Sequence, residues 1–425
     1  MRIGKRVLPP AVVLVACAIA LLGAAPAPRV HEPDTLVILS TNDVLGKNEP
    51  CGCHIPKGGL SRRATFHDSL SAQYGQVLLV DAGGFFPDEA DSFYREKATF
   101  LMDAMTSLGT DAAGVSEKEL KYGRGFLLAN QRTSKLPLVS ANLMNRTSRK
   151  PLVAPSRVIQ KGTVKVGVFG LTSDKIDLGP SRDSLLAEDP VEAATRTVAE
   201  LKKKGATVIV LLSMLGKVES EDVVASVDGI DVVITGRNVP VLQKGRMIKN
   251  TIANYGGEQG HHIGRTLVQL DAQRRMKTAT NDVFVLGPEV NDKPEVLAMV
   301  KQFNDGFNDR MRAIEKARAA AASVATGGER TSNGDKPSPD HFVGAEVCAR
   351  CHAPEYQQWQ TTAHARAWQT LVDVNREATP ECVTCHVVGY QQPGGFKASE
   401  DAGKLGNVQC ENCHGMGTQH EALAA

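Results

Sequence analysis

From Thr35 to about Pro288 the chain alternates short apolar runs with stretches of helical period. TLVILST, GQVLLVDA, VKVGVFGL, TVIVLLS and DVVIT are rich in Val, Ile and Leu, and Gly, Asp or Ser closes them. Such runs predict strands buried on both faces. Between them lie patterns such as DPVEAATRTVAELKKKG, whose Gly205 is the predicted C-cap. The alternation predicts a layered α/β domain over residues 30–290. One long amphipathic helix follows within 291–325, because Val296, Val300, Phe303, Phe307, Met311 and Ile314 recur at steps of three and four. It is expected to pack on the domain before it. Residues 326–339 are Gly, Ser, Pro and charge without period, which reads as a linker to a last unit over 340–425.

The chain opens on MRIGKR, a positive segment, followed by AVVLVACAIALLGAA, an apolar run that ends in small residues. Residues 1–25 therefore read as an export signal. Two other readings stand beside it: a lipoprotein signal with lipid on Cys17, and an uncleaved anchor. Each places the rest of the chain outside the cytoplasm, periplasmic or on the outer surface. The formal net charge of +2 and the lack of a basic stripe set nucleic acid aside as a partner.

Six of the nine cysteines fall in three copies of one pentapeptide, CARCH, CVTCH and CENCH. C-x-x-C-H is the attachment signal for c-type haem. Cys348 and Cys351, Cys382 and Cys385, and Cys410 and Cys413 would bond the haem vinyl groups, with His352, His386 and His414 as proximal iron ligands. Zinc also takes C-x-x-C pairs, but it gives no reason for a His directly after each second cysteine. Three further histidines, His341, His364 and His420, match the three irons one for one. The count predicts three bis-histidine haems, with Met416 as the competing axial group. Iron closed on both sides carries electrons and leaves no position for a small substrate.

HFVGAEVCARCH, EYQQWQTTAHARAW, CVTCHVVGYQQPGGF and GNVQCENCHGMGTQHE resemble the multihaem cytochrome c family that includes the tetrahaem cytochrome of ammonia oxidation. The resemblance implies axial roles for His341, His364 and His420, which agrees with the count. It also implies a small unit with little regular secondary structure. Only three of that family's four haem sites are expected here.

Over the first domain, LVILSTNDVLG, GGLSRRAT, VLLVDAGG, LPLVSANL, VKVGVFGLTSD, GATVIVLLSMLG, GIDVVITGRN and GHHIGRTLVQLD resemble the 5'-nucleotidase-like metallophosphoesterases, in that family's order. The implied fold is a four-layer α/β sandwich. In the cytochrome's place that family has a separate substrate domain. The family holds two metal ions that activate a water. Here Asp43 and Asp81 keep their types, but Leu45, Gly84, Val115, Ser116, Met214, Arg237 and Val239 stand where further ligands are implied. Two carboxylates are too few for two ions, so dimetal phosphatase activity is not expected. Close to Asp43, EPCGCHIPKGGL carries Cys51, Cys53 and His54. These could join Asp43 and Asp81 in a rebuilt site for one divalent metal, act as a thiol pair, ligate a further haem through His54, or close a tight disulfide loop. His261 and His262 read as a local polar pair, and Glu117 and Glu119 as solvated charges.

Electron transfer among redox partner proteins is the expected function, with the first domain as scaffold or docking surface. The alternative is a metal-dependent hydrolase of phosphate or sulfur compounds, with a rebuilt site coupled to the haems. By analogy, a thiosulfohydrolase of this fold works with cytochromes. A binding domain without catalysis is the third reading.

Overall fold

A computed structural model describes residues 34–52, 55–89, 91–325 and 340–424. The export segment with Cys17, the linker, Cys53 and His54 lie outside the described residues. In chain order the strands are β1 (Thr35–Thr41), β2 (Val77–Asp81), β3 (Ala112–Gly114), β4 (Leu138–Val139), β5 (Leu143–Asn145), β6 (Ser156–Lys161), β7 (Val164–Thr172), β8 (Leu185–Ala187), β9 (Val208–Met214), β10 (Val232–Thr235), β11 (Arg246–Ile248), β12 (Thr251–Tyr255), β13 (His262–Leu270) and β14 (Met276–Val285). The first domain's helices are α1 (Leu60–Tyr74), α2 (Tyr94–Ser107), α3 (Arg124–Ser134), α4 (Pro190–Lys203), α5 (Lys217–Ser226) and α6 (Pro294–Ala325).

Two six-stranded sheets face each other, ordered β14-β13-β1-β2-β3-β4 and β11-β12-β10-β9-β7-β6. Each has a parallel centre with antiparallel strands at one or both edges. Every residue of β1, β2, β9 and β10 is buried. That is why these strands read as unbroken apolar runs: the facing sheet covers one side and helices the other. Leu36, Ile38, Leu78 and Val80 meet Val166, Val210, Leu212 and Ile234 between the sheets. Helices α4 and α5 pack on the outside of the second sheet, and α1 on the outside of the first. The fold is the four-layer α/β sandwich. Helix α4 starts where expected, on the Asp189 side chain, which accepts the Glu192 N–H. Gly205 follows its C-cap with φ 82°, a left-handed turn that glycine enters without strain.

Helix α6 buries Val296, Val300, Phe307 and Met311 against the first domain, as its period predicts. Its outer side meets the C-terminal unit, which that period did not indicate.

That unit is short helices and turns: α7 (Ala345–Cys348), α8 (Ala353–Gln360), α9 (Ala367–Asp373), α10 (Pro380–His386), α11 (Ala402–Leu405), α12 (Glu411–His414) and α13 (Thr418–Ala424). Its buried apolar cluster holds only seven residues, Phe342, Leu371, Val383, Val387, Val388, Phe396 and Leu405. So small a cluster stabilises a unit of this length weakly.

Candidate functional site

The strand ends of the first domain converge where the metallophosphoesterase resemblance places metal. Asp81 closes β2 with its side chain fully buried. Thr41 donates to its Oδ2 at 2.5 Å, the Gly83 N–H to its Oδ1 at 2.9 Å, and the buried Arg63 guanidinium stands 3.6 Å away. Burial raises the Asp81 carboxyl, and Arg63 opposes that rise. Asp43 Oδ2 accepts the Asn42 amide at 2.9 Å and the Arg237 N–H at 2.7 Å. Met214 ends β9, is 1% exposed, and fills the space beside Asp43. A Cβ on Gly84 would lie 2.6 Å from Asp43 Oδ1 and 3.2 Å from the Met214 methyl. A Cβ on Gly236 would lie 2.6 Å from the Met214 sulfur and 3.1 Å from Asp43 Oδ2. The thioether thus adjoins the carboxylate that would ligate metal, and an arginine answers the other. Among the described residues no group of three His, Cys, Asp or Glu side chains is placed to hold an ion.

Burial pushes the Asp43 carboxyl up to about 6, against the hydrogen bonds from Asn42 and Arg237. An unfolded carboxyl titrates near 4, so between those values the fold holds a proton that the open chain has released. Stability from this group is present below about pH 4 and is lost as the pH rises through about 6. Asp43→Asn is expected to flatten that decline by on the order of 2 kcal/mol. Urea titrations at pH 4.5 and 7 measure it, and an unchanged decline would mean that the carboxyl is ionised in the fold.

Glu119 corrects the expectation of a solvated charge. It is fully buried, and its two oxygens accept the N–H groups of Gly84, Phe85, Phe86 and Ser116 and the Ser116 hydroxyl. It holds the 84–86 turn in place. Glu117 is about a quarter exposed and stands 3.8 Å from the Arg237 guanidinium.

Cys51 and Lys57 exchange backbone hydrogen bonds. The Cys51 sulfur lies 3.2 Å from His261 Nε2, which joins this cysteine to the start of β13. His261 therefore partners Cys51, a role that its reading as a local polar pair did not include. Asp43 and Cys51 share a neighbour: the Gln259 N–H donates to the Asp43 carbonyl two residues before His261.

In the C-terminal unit the three pentapeptides occupy the end of α7 with the turn after it, the end of α10, and α12 with the residue before it. Their six cysteines form no disulfide. The His352 and His420 rings stand 6.0 Å apart, centre to centre, with planes 25° apart. A metal–imidazole bond is about 2 Å long, so two rings holding one ion from opposite sides stand at about that spacing. The His386 Nδ1–H donates to the Ala367 carbonyl at 2.6 Å, which leaves Nε2 as the ring's lone-pair nitrogen. The His341 N–H donates to the Thr418 hydroxyl and the His341 carbonyl accepts from it, which ties the first spare histidine to the helix of the third. The His364 carbonyl accepts the Val408 N–H, two residues before the last pentapeptide. Burial and the neighbouring Cys410 push the Cys348 thiol up to about 11, so the first and third attachment points adjoin. A 310 Å³ cavity lies between the second and third pentapeptides, lined by Thr384, Tyr390, Asn412 and Met416 among others. Thiols in pairs and imidazoles at metal-sharing distance fit c-type haem.

The second pentapeptide rests against the first domain. Glu381 accepts from Lys97 and from the Tyr94 hydroxyl of α2. Arg376 binds Glu49 through two nitrogens, at 2.9 and 3.0 Å, and Asp305 of α6 at 2.9 Å. The buried Asn308 side chain accepts the Ala378 N–H and the Thr379 hydroxyl. No motif marks these residues, since Arg376 and Glu49 lie 327 positions apart.

Comparison with known proteins agrees with both halves. Residues 347–415 match the sequence model of the family described as cytochrome c554 and c-prime. Over 114 residues the chain is 35% identical to cytochrome c-554 of Nitrosomonas europaea, covering 23% of this chain and 46% of that protein. Over 298 residues it is 26% identical to snake venom 5'-nucleotidase of Naja atra, covering 63% of this chain and 56% of the relative. The crystal structure of a 5'-nucleotidase precursor from Thermus thermophilus superposes with a TM-score of 0.55 at 25% identity, covering 63% of this chain and 58% of that one. The chain spans about half the length of the curated 5'-nucleotidases it matches. It thus joins a domain similar to the 5'-nucleotidase-type metallophosphoesterases to a C-terminal segment that matches the cytochrome c554 family.

Proposed function

We propose that this protein is an exported electron carrier with three c-type haems, each held between two histidines, on a phosphoesterase fold that no longer works as a dimetal hydrolase. The observation that carries the reading is the set of three C-x-x-C-H sites with His352 and His420 at 6.0 Å. Cys348 and Cys351, Cys382 and Cys385, and Cys410 and Cys413 would tether the groups. His352, His386 and His414 would ligate from one side, and His341, His364 and His420 from the other. Haem supplies a one-electron iron couple when bound. The chain orients the ligands: the Ala367 carbonyl fixes the tautomer of His386. Filling both axial positions excludes small substrates, so the partners are other redox proteins. Among the described residues no helix is long and apolar enough to cross a membrane.

The retired metal centre is supported by Met214 beside Asp43 and by Arg63 beside Asp81. One contact favours the alternative, a hydrolase with a rebuilt site: Cys51 and His261 could offer soft ligands to one divalent ion. Haem and metal stoichiometry on the purified full chain separates the two. The carrier reading expects three haems per chain, low-spin c-type bands in reduced-minus-oxidised spectra, and no other tightly bound metal. A colourless protein, or one that holds divalent metal and cleaves phosphate or sulfate esters, would overturn it.

A further inference from the structure

The second haem site differs from the other two in what surrounds it. Cys382 is half-buried, as Cys348 and Cys410 are, but the helix that carries it packs on the first domain. The charges acting on the Cys382 thiol are Glu49, Lys97, Lys47 and Arg376, three of them from the phosphoesterase domain. Lys97 and Glu381 form an ion pair with side chains only 7% and 10% exposed. Glu381 directly precedes Cys382 in sequence. Tyr94 donates to the other Glu381 oxygen at 3.1 Å. The first and third pentapeptides lean on their own unit instead. Arg350 meets Glu421 at 3.1 Å, a pair exposed on the surface, and Glu411 accepts the N–H groups of Val343, Gly344 and Gly417.

We propose that the phosphoesterase domain tunes the reduction potential of the second haem, its buried Lys97 offsetting the buried charge of Glu381 beside the attachment cysteine. The proposal rests on the haem reading above. Lys97 and Glu381 are positioning residues here: they touch the attachment helix and act on the iron through space. Reduction removes one unit of positive charge from the iron. A cation held nearby in a poorly solvated contact favours the reduced form and raises the potential, and an anion lowers it. Water screens exposed charges of this kind strongly and buried ones much less. The domain, stripped of its ligands, would thus keep a role as the electrostatic wall of one redox centre.

The test is a spectroelectrochemical titration of the haem-loaded full chain and of three variants. Lys97→Met is expected to move one of the three waves to lower potential, because Glu381 is left without its cation. Glu381→Gln is expected to move the same wave to higher potential. The Lys97→Met/Glu381→Gln double variant should return it close to its starting position. Opposite shifts from the two ends of one contact cannot arise from a shared loss of packing, which would move the wave in one direction. If Lys97→Met fails to fold, the near-isosteric Glu381→Gln decides alone. Waves that stay in place in a haem-replete Glu381→Gln variant, waves that all shift equally, or single-variant shifts of the same sign overturn the proposal. Absence of c-type bands in the unaltered protein would instead remove the haem reading itself.

Discussion

Replacing His420 with alanine is expected to convert one haem from low-spin to high-spin while the other two keep their low-spin spectra. The reason is geometric. His352 follows the first cysteine pair directly, so a haem tethered there would lie against its ring. The partner ring on the far side has to stand about 6 Å away, and the His420 ring does so, at 6.0 Å. Met416 is four residues off, and it lines the cavity between the other two pentapeptides instead. Without His420 the first iron keeps one imidazole and gains an open position, which exogenous imidazole or cyanide should refill. Electron paramagnetic resonance and the charge-transfer region of the visible spectrum report the change. A His420→Ala protein with three unaltered low-spin signals would exclude His420 as a ligand and leave Met416 as the axial group.

The second large effect is on stability. Arg376→Ala is expected to loosen the contact between the two units by roughly 3 kcal/mol, the lower end of the cost of breaking a buried ion pair. Arg376 is 7% exposed, and its guanidinium is saturated: Glu49 takes two nitrogens, and Asp305 and the carbonyls of Val374 and Asn375 share the third. Glu49 and Asp305 keep about a third of their side-chain surface in water. They can therefore rehydrate in part when the arginine goes, which argues for the lower end. Arg376→Lys should recover little, because an ammonium cannot span both carboxylates in the plane that the guanidinium fork occupies. Denaturant titrations followed by the Soret band and by far-ultraviolet circular dichroism check this. The C-terminal signal should melt earlier than in the parent, while the sandwich melts near its original midpoint. Coincident, unshifted transitions would mean that Asn308 and the Lys97–Glu381 pair suffice to hold the units together.

The layered fold is legible along the chain because its central strands are buried on both faces. TLVILST and TVIVLLSM have no polar period to confuse with helix, and they became β1 and β9 without a solvent-facing residue. The cysteine–histidine pentapeptides are legible for a related reason: the chemistry of haem attachment is local, confined to five adjacent residues. Helix α6 shows where such reasoning stops. Its apolar stripe marks the face on the first domain, whereas the polar Asn304, Asp305 and Asn308 carry the contacts to Asn48 and to the C-terminal unit. Polar residues on a helix look alike in sequence whether water or a buried partner satisfies them.

The same limit applies to Glu119. Its neighbours in sequence, EKEL, suggest a solvated turn, yet chain reversal folds the 84–86 backbone onto its carboxylate. The residues that stand at the implied ligand positions can be read one by one, Met214 among them, but what surrounds them in space cannot. Met214 fills the volume and Arg63 supplies the charge, and each comes from a separate segment.

Two things therefore follow from the order of residues alone: a double-sided sheet sandwich, and a tail with three copies of the c-type haem attachment signal. Both depend on neighbours in the chain, through strand burial patterns and the reach of a pentapeptide. The packing of Met214 beside Asp43, the approach of the His352 and His420 rings, and the seating of the second pentapeptide's flank on Lys97 and Glu49 arise only once the chain is folded. Coulomb and contact forces act across a few ångströms of space, and folding brings together groups that stand up to 327 residues apart.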